Sequence, residues 1–389
     1  MKKTRAASET RDYDVVIVGA GPAGASAARF LAEAGARVAL VDAARFPRRK
    51  TCAGWVNEKA IREFRFLGPI CRRIKASPFK RLVFHSPDLR ETAQFACRKI
   101  VGHIVRREEF DTELLRAAEK AGAETHLGRK VTAIESGEHQ MTAVLAGGHR
   151  VAGRILLGAD GVHSAVARAT RLRTQWPLDQ LVVTLSKTIP LTARQRSSCF
   201  GDGAIHVALG FGLAPGYAWA FPGAAHASIG VGARGWDGQQ LRPLYDAWVS
   251  GLRAKGFLPA GVSTGNPDGG AVPAGAALEF ESHVGKRVIL IGDAGGFASS
   301  ATGEGIYPAF QSASIAARCV LKALEADRRE IKATPCQDEL QAFQHLWRQQ
   351  MAPYLQTPNV NLAFLLPLIY SNQEIADRFG RAFLFGENL

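Results

Sequence analysis

The feature that most constrains the fold is a glycine-rich turn between a buried strand and a helix near the start of the chain. Residues 13–18 (YDVVIV) form a short apolar, β-branched run, as a buried parallel strand requires. The turn covers residues 19–24, and the alanine-rich residues 25–34 predict a helix. Residues 37–41 predict the next strand, which ends at Asp42. This strand–helix–strand unit predicts an α/β fold with a Rossmann-like, doubly wound sheet.

The spacing of glycines within this turn predicts a dinucleotide site. The residues expected to contact the ligand are Gly19, Gly21, Pro22, Ala23 and Gly24. Gly19 permits the tight turn, Gly21 lets the backbone approach a pyrophosphate, and Gly24 lets the helix pack closely on the sheet. The free N–H groups at the helix N-terminus attract phosphate. Asp42 is expected to accept hydrogen bonds from a ribose; a purely structural turn is the alternative interpretation.

The rest of the chain predicts a discontinuous nucleotide domain with an inserted second domain. Further helices are predicted over 108–121, 307–326 and 339–348, and strands over 130–135, 141–145, 154–157 and 287–291. Short alternating runs between about 175 and 275 predict a mainly antiparallel β-sheet. The predicted nucleotide domain covers 1–75, 98–174 and 284–330, the substrate domain covers 76–97 and 175–283, and a helical C-terminal region covers 331–389.

A second glycine-rich constellation follows the last predicted strand. Its candidate ligand-binding residues are Gly292, Asp293, Gly303, Glu304, Gly305 and Ile306. A carboxylate such as Asp293 at the end of a strand can bind a second polyol. Glycines before a helix can bring backbone N–H groups to an anionic ring. These residues are therefore candidates for a second ligand-binding loop.

These motifs together resemble those of the FAD-dependent oxidoreductases of the para-hydroxybenzoate hydroxylase fold. Besides the first turn, the stretch 158–164 (GADGVHS), with Arg168 after it, matches the central Asp-Gly motif, and Gly292-Asp293-Ala294 matches the ribityl-binding motif. The resemblance implies FAD as the cofactor, with Asp160 at its site. It also implies that Arg107, just before a predicted helix, lies near the FAD phosphates.

Within that superfamily the chain most resembles the geranylgeranyl reductase branch. The first of the matching features is the loop Lys50-Thr51-Cys52-Ala53-Gly54, which lies beside the flavin in that branch and usually reads Cys-Gly-Gly. Here Ala53 replaces one glycine. The second is the strand Tyr217-Ala218-Trp219-Ala220-Phe221-Pro222, which lines the substrate cavity in that branch. The resemblance adds Lys50, Cys52, Ala53 and Gly54 to the expected cofactor site. Flavin-dependent halogenases carry a second tryptophan and an isoleucine–proline end that this strand lacks.

The resemblance leaves several functions open. In the first, reduced FAD delivers hydride to a C=C bond of a hydrophobic substrate; in the second, a monooxygenase hydroxylates an aromatic small molecule or protein side chain. A non-catalytic flavin-binding module is the third. Cys52, Tyr217 and Trp219 are the candidate catalytic or cavity-lining residues. The alternative for Cys52 is that it merely fills space in its loop. The alternative for Tyr217 and Trp219 is that they belong to an ordinary core face.

The net charge of +14 bears on partners. A basic surface attracts anions, so an anionic membrane surface and an acidic electron-carrier protein are candidate partners, and a merely solvated surface is the alternative interpretation. Nucleic acid is not expected, because no nucleic-acid-binding signature accompanies the charge. A second dinucleotide turn is absent, so NAD(P)H is expected to bind only transiently.

Cysteine usage, the N-terminus and hydropathy bear on location. The 6 cysteines and 10 histidines lack metal-ligand spacing, which predicts no metal and reduced thiols in a cytoplasm. Residues 1–12 are polar, without the apolar core of a secretory signal. Residues 362–370 (LAFLLPLIY) are apolar but too short to span a bilayer, so they either pack on a core or touch a membrane surface. We therefore expect a cytoplasmic protein, with peripheral membrane association open.

Overall fold

The computed structural model describes residues 12–201, 203–213, 216–259, 261–328, 334–356 and 362–387. The N-terminal stretch 1–11, on which the prediction about a secretory signal mainly depends, lies outside these ranges. Strands and helices are numbered below in chain order. The described strands form three sheets, and two of them build the walls of the site.

The first sheet has eight strands, in the order β17-β18-β11-β1-β2-β8, with β10 and β9 added beside β11. Its strands are β1 (Asp12–Val18), β2 (Val38–Asp42), β8 (Glu124–Leu127), β9 (Val131–Ser136), β10 (Met141–Leu145), β11 (Arg150–Gly158), β17 (Val284–Gly285) and β18 (Val288–Leu290). The central strands run parallel. Val15, Val16 and Ile17 of β1 are fully buried because both faces of the sheet are covered.

Four long helices pack on this sheet or on one another. They are α1 (Pro22–Glu33), α4 (Arg107–Lys120), α9 (Ile306–Arg328) and α10 (Thr334–Leu355). Helix α1 contacts both α4 and α9, and α10 packs along α9. The alanines of α1 are buried in this layer, which lets three helices approach the sheet closely.

The second sheet has seven strands, in the order β16-β12-β15-β14-β13-β5-β6. They are β5 (Arg81–His85), β6 (Thr92–Ala96), β12 (Val182–Pro190), β13 (Ile205–Leu209), β14 (Gly216–Pro222), β15 (His226–Arg234) and β16 (Asp268–Val272). All neighbours are antiparallel except β13 and β5. Helix α7 (Gly238–Ala254) covers one face with Leu241, Tyr245 and Trp248, and the opposite face turns toward the first sheet.

Short elements complete the described part. The third sheet joins β3 (Trp55–Asn57), β4 (Ser77–Phe79) and β7 (Gly102–Ile104). The remaining helices are α2 (Glu58–Glu63), α3 (Leu67–Arg73), α5 (Ala165–Ala169), α6 (Ala193–Phe200), α8 (Ala276–Glu279), α11 (Leu362–Ser371) and α12 (Gln373–Phe385). Helices α11 and α12 both contact β6, at the edge of the second sheet.

The predicted fold class is confirmed, since a Rossmann-like parallel sheet and a mainly antiparallel sheet are both present. The two helices predicted after residue 306 are longer than expected: α9 runs over Ile306–Arg328 and α10 over Thr334–Leu355. The domain boundaries remain a prediction. Among the described helices, none is both long enough and apolar enough to cross a bilayer.

Candidate active site

A cavity of ≈ 1510 Å³ lies between the two large sheets. The predicted residues that line it are Gly19, Gly21, Pro22, Ala23, Asp42, Lys50, Cys52, Ala53, Arg107, Asp160, Tyr217, Trp219, Gly292, Asp293, Gly303, Glu304, Gly305 and Ile306. Two predicted cofactor residues, Gly24 and Gly54, lie behind this lining, packed on backbone: an added Cβ would come within 1.8 Å of the Gly19 carbonyl oxygen and 2.3 Å of the Val105 carbonyl oxygen, respectively. Their absence from the wall indicates that they shape the loops rather than contact a ligand.

The glycines of the first turn serve two different purposes. Gly19 has a φ of +101°, and an added Cβ would lie 2.3 Å from the Ala159 carbonyl oxygen, so the protein itself requires glycine there. At Gly21 the backbone is ordinary, with φ −72°, and a Cβ would meet only the flexible end of Arg48, at 3.4 Å. The space in front of Gly21 is therefore open. No side chain caps the N-terminus of α1, so its first N–H groups are left for a pyrophosphate.

Asp42 is held at the end of β2 by the backbone. Its Oδ2 accepts a hydrogen bond from the N–H of Ala20 at 2.7 Å, and its Oδ1 accepts one from the N–H of Ala44 at 2.8 Å. A carboxylate has about four lone-pair sites, so two remain for the hydroxyls of a ribose. The structure thus fixes Asp42 in a position that suits its predicted role.

Asp160 is engaged within the protein. Its Oδ1 accepts a hydrogen bond from the Ser164 hydroxyl at 2.5 Å, while its Oδ2 accepts from the N–H groups of Ala165 at 2.7 Å and Val166 at 3.1 Å. Asp160 therefore caps the start of α5. Burial raises the pKa of this carboxyl, and these hydrogen bonds oppose the rise. Asp160 shapes the cavity wall through the loop it holds.

Asp293 lines the cavity close to two basic side chains. It is half-buried, and burial raises the pKa of its carboxyl, whereas the nearby Lys50 and Arg107 lower it. An added Cβ at Gly305 would lie 3.3 Å from Oδ1 of Asp293, so the two glycine-rich loops meet here. A carboxylate at this junction suits the polyol chain predicted for FAD.

Arg107 is buried against a carboxylate that the sequence analysis missed. Its Nε and Nη2 each donate to Asp111, both at 2.8 Å, and Nη2 of Arg48 also lies 3.2 Å from Asp111. Burial lowers the pKa of the Arg107 guanidinium, but Asp111 and the neighbouring Cys52 together raise it by more. The i, i+4 spacing of Arg107 and Asp111 was the signal available in the sequence. Two arginines share one aspartate, which leaves a net positive charge on this wall.

The aromatic strand β14 holds the two loops that face it. The indole N–H of Trp219 donates to the Ser228 hydroxyl at 3.1 Å, and that hydroxyl donates to the Cys52 carbonyl oxygen at 3.2 Å. The Tyr217 hydroxyl donates to the Thr302 carbonyl oxygen at 2.7 Å. The polar atoms of both aromatic residues are thus used in positioning, while their rings line the cavity. The Cys52 sulfur accepts from the N–H of Gly54 at 3.3 Å.

Glu304 lies in the wall but is only 5% exposed. Its Oε1 accepts from the N–H of Tyr307 at 2.7 Å, and its Oε2 accepts from the Tyr354 hydroxyl at 2.7 Å. Burial raises the pKa of this carboxyl to about 7, against the lowering effect of these hydrogen bonds and of Lys59. Sequence reasoning missed Tyr354, which arrives from the end of α10.

A group of apolar side chains also lines the cavity. We call it the apolar arm; its residues are Trp55, Leu209, Phe221, Leu366, Phe379, Ala382 and Phe383. Those after residue 362 come from α11 and α12, so the C-terminal helices cover part of the second sheet and form part of the cavity wall. The sequence analysis predicted helix in this region but assigned it no place in the site.

Comparison with known proteins decides the family. The FAD binding domain family matches residues 12–200. Menaquinone reductase of Mycobacterium tuberculosis is 31% identical over 326 residues, which cover 78% of this chain and 75% of that protein. Digeranylgeranylglycerophospholipid reductase of Methanoculleus marisnigri is 30% identical over 333 residues, which cover 81% of this chain and 78% of that protein. The chain belongs to the geranylgeranyl reductase-like family of FAD-dependent oxidoreductases.

Solved structures agree with the fold of this geranylgeranyl reductase-like oxidoreductase. A geranylgeranyl bacteriochlorophyll reductase-like protein from Thermoplasma acidophilum superposes with a TM-score of 0.78 at 20% identity, over 97% of this chain and 98% of that one. The flavin-dependent halogenase CmlS reaches 0.66 at 20% identity, over 88% of this chain and 63% of that one. The predictions of the family, of an FAD-dependent enzyme and of FAD as cofactor are confirmed. The residue-level contacts with FAD remain predictions.

The geranylgeranyl reductase-like site fits FAD on its own geometry. The open space at Gly21 and the uncapped N-terminus of α1 suit the pyrophosphate. The free lone pairs of Asp42 and the cavity-facing carboxylate of Asp293 suit the two polyol groups. The remaining volume continues into the apolar arm, beyond the loops that would contact the cofactor.

Proposed function

We propose that this geranylgeranyl reductase-like enzyme saturates a C=C bond in the polyprenyl chain of a lipid or quinone. The apolar arm carries this proposal, because its aromatic and aliphatic side chains line the cavity and most of them pack in one cluster. Such a surface gains free energy by burying hydrocarbon, at roughly 25 cal/mol per Å². The names of the relatives, a menaquinone reductase and a digeranylgeranylglycerophospholipid reductase, give the proposal its substrate class.

The protein's part in this reaction is to orient the chain and to exclude water. Reduced FAD supplies the hydride. The apolar arm holds the prenyl chain, and the rings of Tyr217 and Trp219 form the wall between that chain and the FAD loops. The Tyr217 hydroxyl already donates to a backbone carbonyl oxygen and the Trp219 indole N–H to Ser228, so we assign the proton to neither residue.

Cys52 is the side chain to which we assign the proton that follows hydride transfer. Its sulfur accepts from the N–H of Gly54 and also interacts with the Arg107 guanidinium, and the side chain lines the cavity. Replacement Cys52→Ala should slow substrate-driven oxidation of reduced enzyme, with the rate expressed per bound FAD. An unchanged rate would remove Cys52 from the proton step.

Anaerobic photometry tests the main proposal. Dithionite-reduced holoenzyme is mixed with a polyprenyl lipid or with menaquinone, and reappearance of the oxidised flavin spectrum together with a saturated product supports the proposal. Ala382 offers a matched variant: Ala382→Phe fills the apolar arm and should abolish oxidation by the long chain while the purified protein keeps its FAD. Product formed only with oxygen would indicate the monooxygenase instead. Neither reaction would favour the binding module.

We also infer that α11 touches an anionic membrane surface. Phe364 is 75% exposed and Leu368 is 36% exposed, one helical turn apart, while Leu366 and Tyr370 of the same helix line the cavity. The helix thus stands between the substrate cavity and the surroundings, and the net charge of +14 favours an anionic bilayer. Phe364→Glu should reduce co-sedimentation with vesicles that contain phosphatidylglycerol. Equal sedimentation of both proteins would contradict this orientation.

For the electron donor we propose an acidic carrier protein, because the same basic charge attracts one and the chain has a single dinucleotide turn. Reduction of the holoenzyme by reduced ferredoxin should slow as salt rises, since exposed charges are screened. Rapid anaerobic reduction by NADPH alone, at a rate that does not depend on salt, would contradict this proposal and indicate NADPH as the electron donor.

A further inference from the structure

Glu304 is a buried carboxylate in the FAD cavity that the proposed reduction leaves without a role. It lies between Gly303 and Gly305, immediately before α9, in the loop that Tyr217 holds through Thr302. We propose that Glu304 is a redox-linked proton acceptor, which takes up a proton from solvent when electrons enter the bound FAD. This inference depends on FAD binding and not on the identity of the substrate.

The hydrogen bonds around Glu304 allow a proton to be added without rearrangement. The Tyr307 N–H, the Tyr354 hydroxyl and the Ile306 N–H each interact with the carboxylate, so about one of its four lone-pair sites remains for a proton. Asn57 donates through Nδ2 to the Tyr354 hydroxyl at 3.0 Å and fixes that phenol in place. Glu304 can therefore change its charge while the loop beside FAD keeps its position.

The charged and titratable neighbours come from several elements. From α2, the Lys59 ammonium lies 5.1 Å from the ring of Tyr307 and 5.3 Å from that of Tyr354, and it lowers the pKa of Glu304. Also from α2, Glu63 accepts a hydrogen bond from the Tyr307 hydroxyl at 2.8 Å. From β14, the Tyr217 phenol has its pKa raised by burial and, to a smaller extent, by Cys52 and Glu304. Burial dominates at Glu304, so its pKa stands near neutrality, where a small added field changes its protonation.

Bound FAD would supply that field once it is reduced. With two electrons from dithionite and one proton, the cofactor would carry one more negative charge than before. A negative charge inside a poorly hydrated cavity raises the proton affinity of a nearby carboxylate. Glu304 then binds the second proton, from solvent, at a carboxylate oxygen. Two electrons and two protons are taken up in all, and the cavity returns to its original charge.

The first test is the pH dependence of the FAD midpoint potential, measured by spectroelectrochemistry on the holoenzyme. Above about pH 7, where Glu304 starts as a carboxylate, two protons should accompany two electrons. The wild-type slope of potential against pH should therefore be about twice that of Glu304→Gln, which cannot take the second proton. Equal slopes for the two proteins would overturn the proposal.

Tyr354→Phe is the matched variant. It keeps the carboxylate but removes one donor that favours the charged form, so the pKa of Glu304 should rise and the steep segment should move to higher pH with its slope unchanged. A Tyr354→Phe protein with the shallow slope of Glu304→Gln throughout would show that the phenol, not the carboxyl, sets the proton count, and would overturn the assignment.

Infrared difference spectra keep the proposal testable if Glu304→Gln fails to retain FAD. Reduction of wild-type holoenzyme above about pH 7 should produce the carbonyl band of a newly protonated carboxylic acid. That band should be absent from Glu304→Gln where this variant holds FAD. A wild-type spectrum without the band contradicts the proposal, whatever substrate the enzyme reduces.

Discussion

The two ends of the cavity are built in different ways. The end predicted to hold FAD is made mainly by backbone, because the turns at Gly19–Gly24 and Gly303–Gly305 line the cavity and the N-terminus of α1 has no side-chain cap. The apolar arm is made by side chains from β3, β13 and β14 and from α11 and α12 at the end of the chain. A backbone site depends on a few positions that admit no side chain. At a side-chain site the free energy of binding is divided among many contacts. Single substitutions at the two ends should therefore have effects of very different size.

The largest effect is expected at Gly21. Replacement Gly21→Val keeps an allowed backbone conformation and meets only the end of Arg48, so the apoprotein should fold. The new side chain occupies the space predicted for the pyrophosphate, and the purified protein should be colourless. Absorbance of bound flavin checks this, and a yellow Gly21→Val protein would contradict the placement of FAD.

Gly24 provides the contrast within the same turn. An added Cβ there would lie 1.8 Å from the Gly19 carbonyl oxygen, so Gly24→Val should lower thermal stability or prevent folding altogether. Circular dichroism of both apoproteins separates a lost ligand from a lost fold. Similar stability losses for the two variants would erase the distinction between Gly21 and Gly24.

The same contrast explains how much the sequence could predict. At the FAD end each motif is formed by residues close together in the sequence. Glycine spacing and strand ends therefore identified Gly21, Asp42 and Asp293 as candidates from the sequence alone. The contact of Tyr354 with Glu304 joins residues 50 apart, and no local pattern marks it. Coverage of the second sheet by α11 and α12 was equally hidden, because an apolar helix looks the same whether it lines a cavity or fills a core.

An intermediate effect is expected at Asp293. Hydrogen bonds that involve a charged group contribute about 1.5–3 kcal/mol, so Asp293→Ala should weaken FAD affinity about 10- to 100-fold. Stability of the apoprotein should be preserved, because the lost carboxylate sits in a setting where burial disfavours its charge. Fluorescence titration of the apoprotein with FAD measures the affinity. The exposed Asp246→Ala is the control, and equal affinities for both variants would take Asp293 out of the site.

The smallest effect is expected in the apolar arm, at Leu366. Leu366→Ala removes part of one wall, and the loss of about one buried methylene's worth of contact, roughly 0.8 kcal/mol, predicts an increase of about fourfold in KM for a long prenyl substrate. FAD retention and the rate at saturation should not change, since Leu366 lies away from the backbone turns. Leu178→Ala, which shortens a half-exposed leucine outside the cavity, is the matched control. Should Leu366→Ala instead release FAD, the two ends of the cavity would be coupled, and the separation between a backbone-built cofactor end and a side-chain-built substrate end would fail.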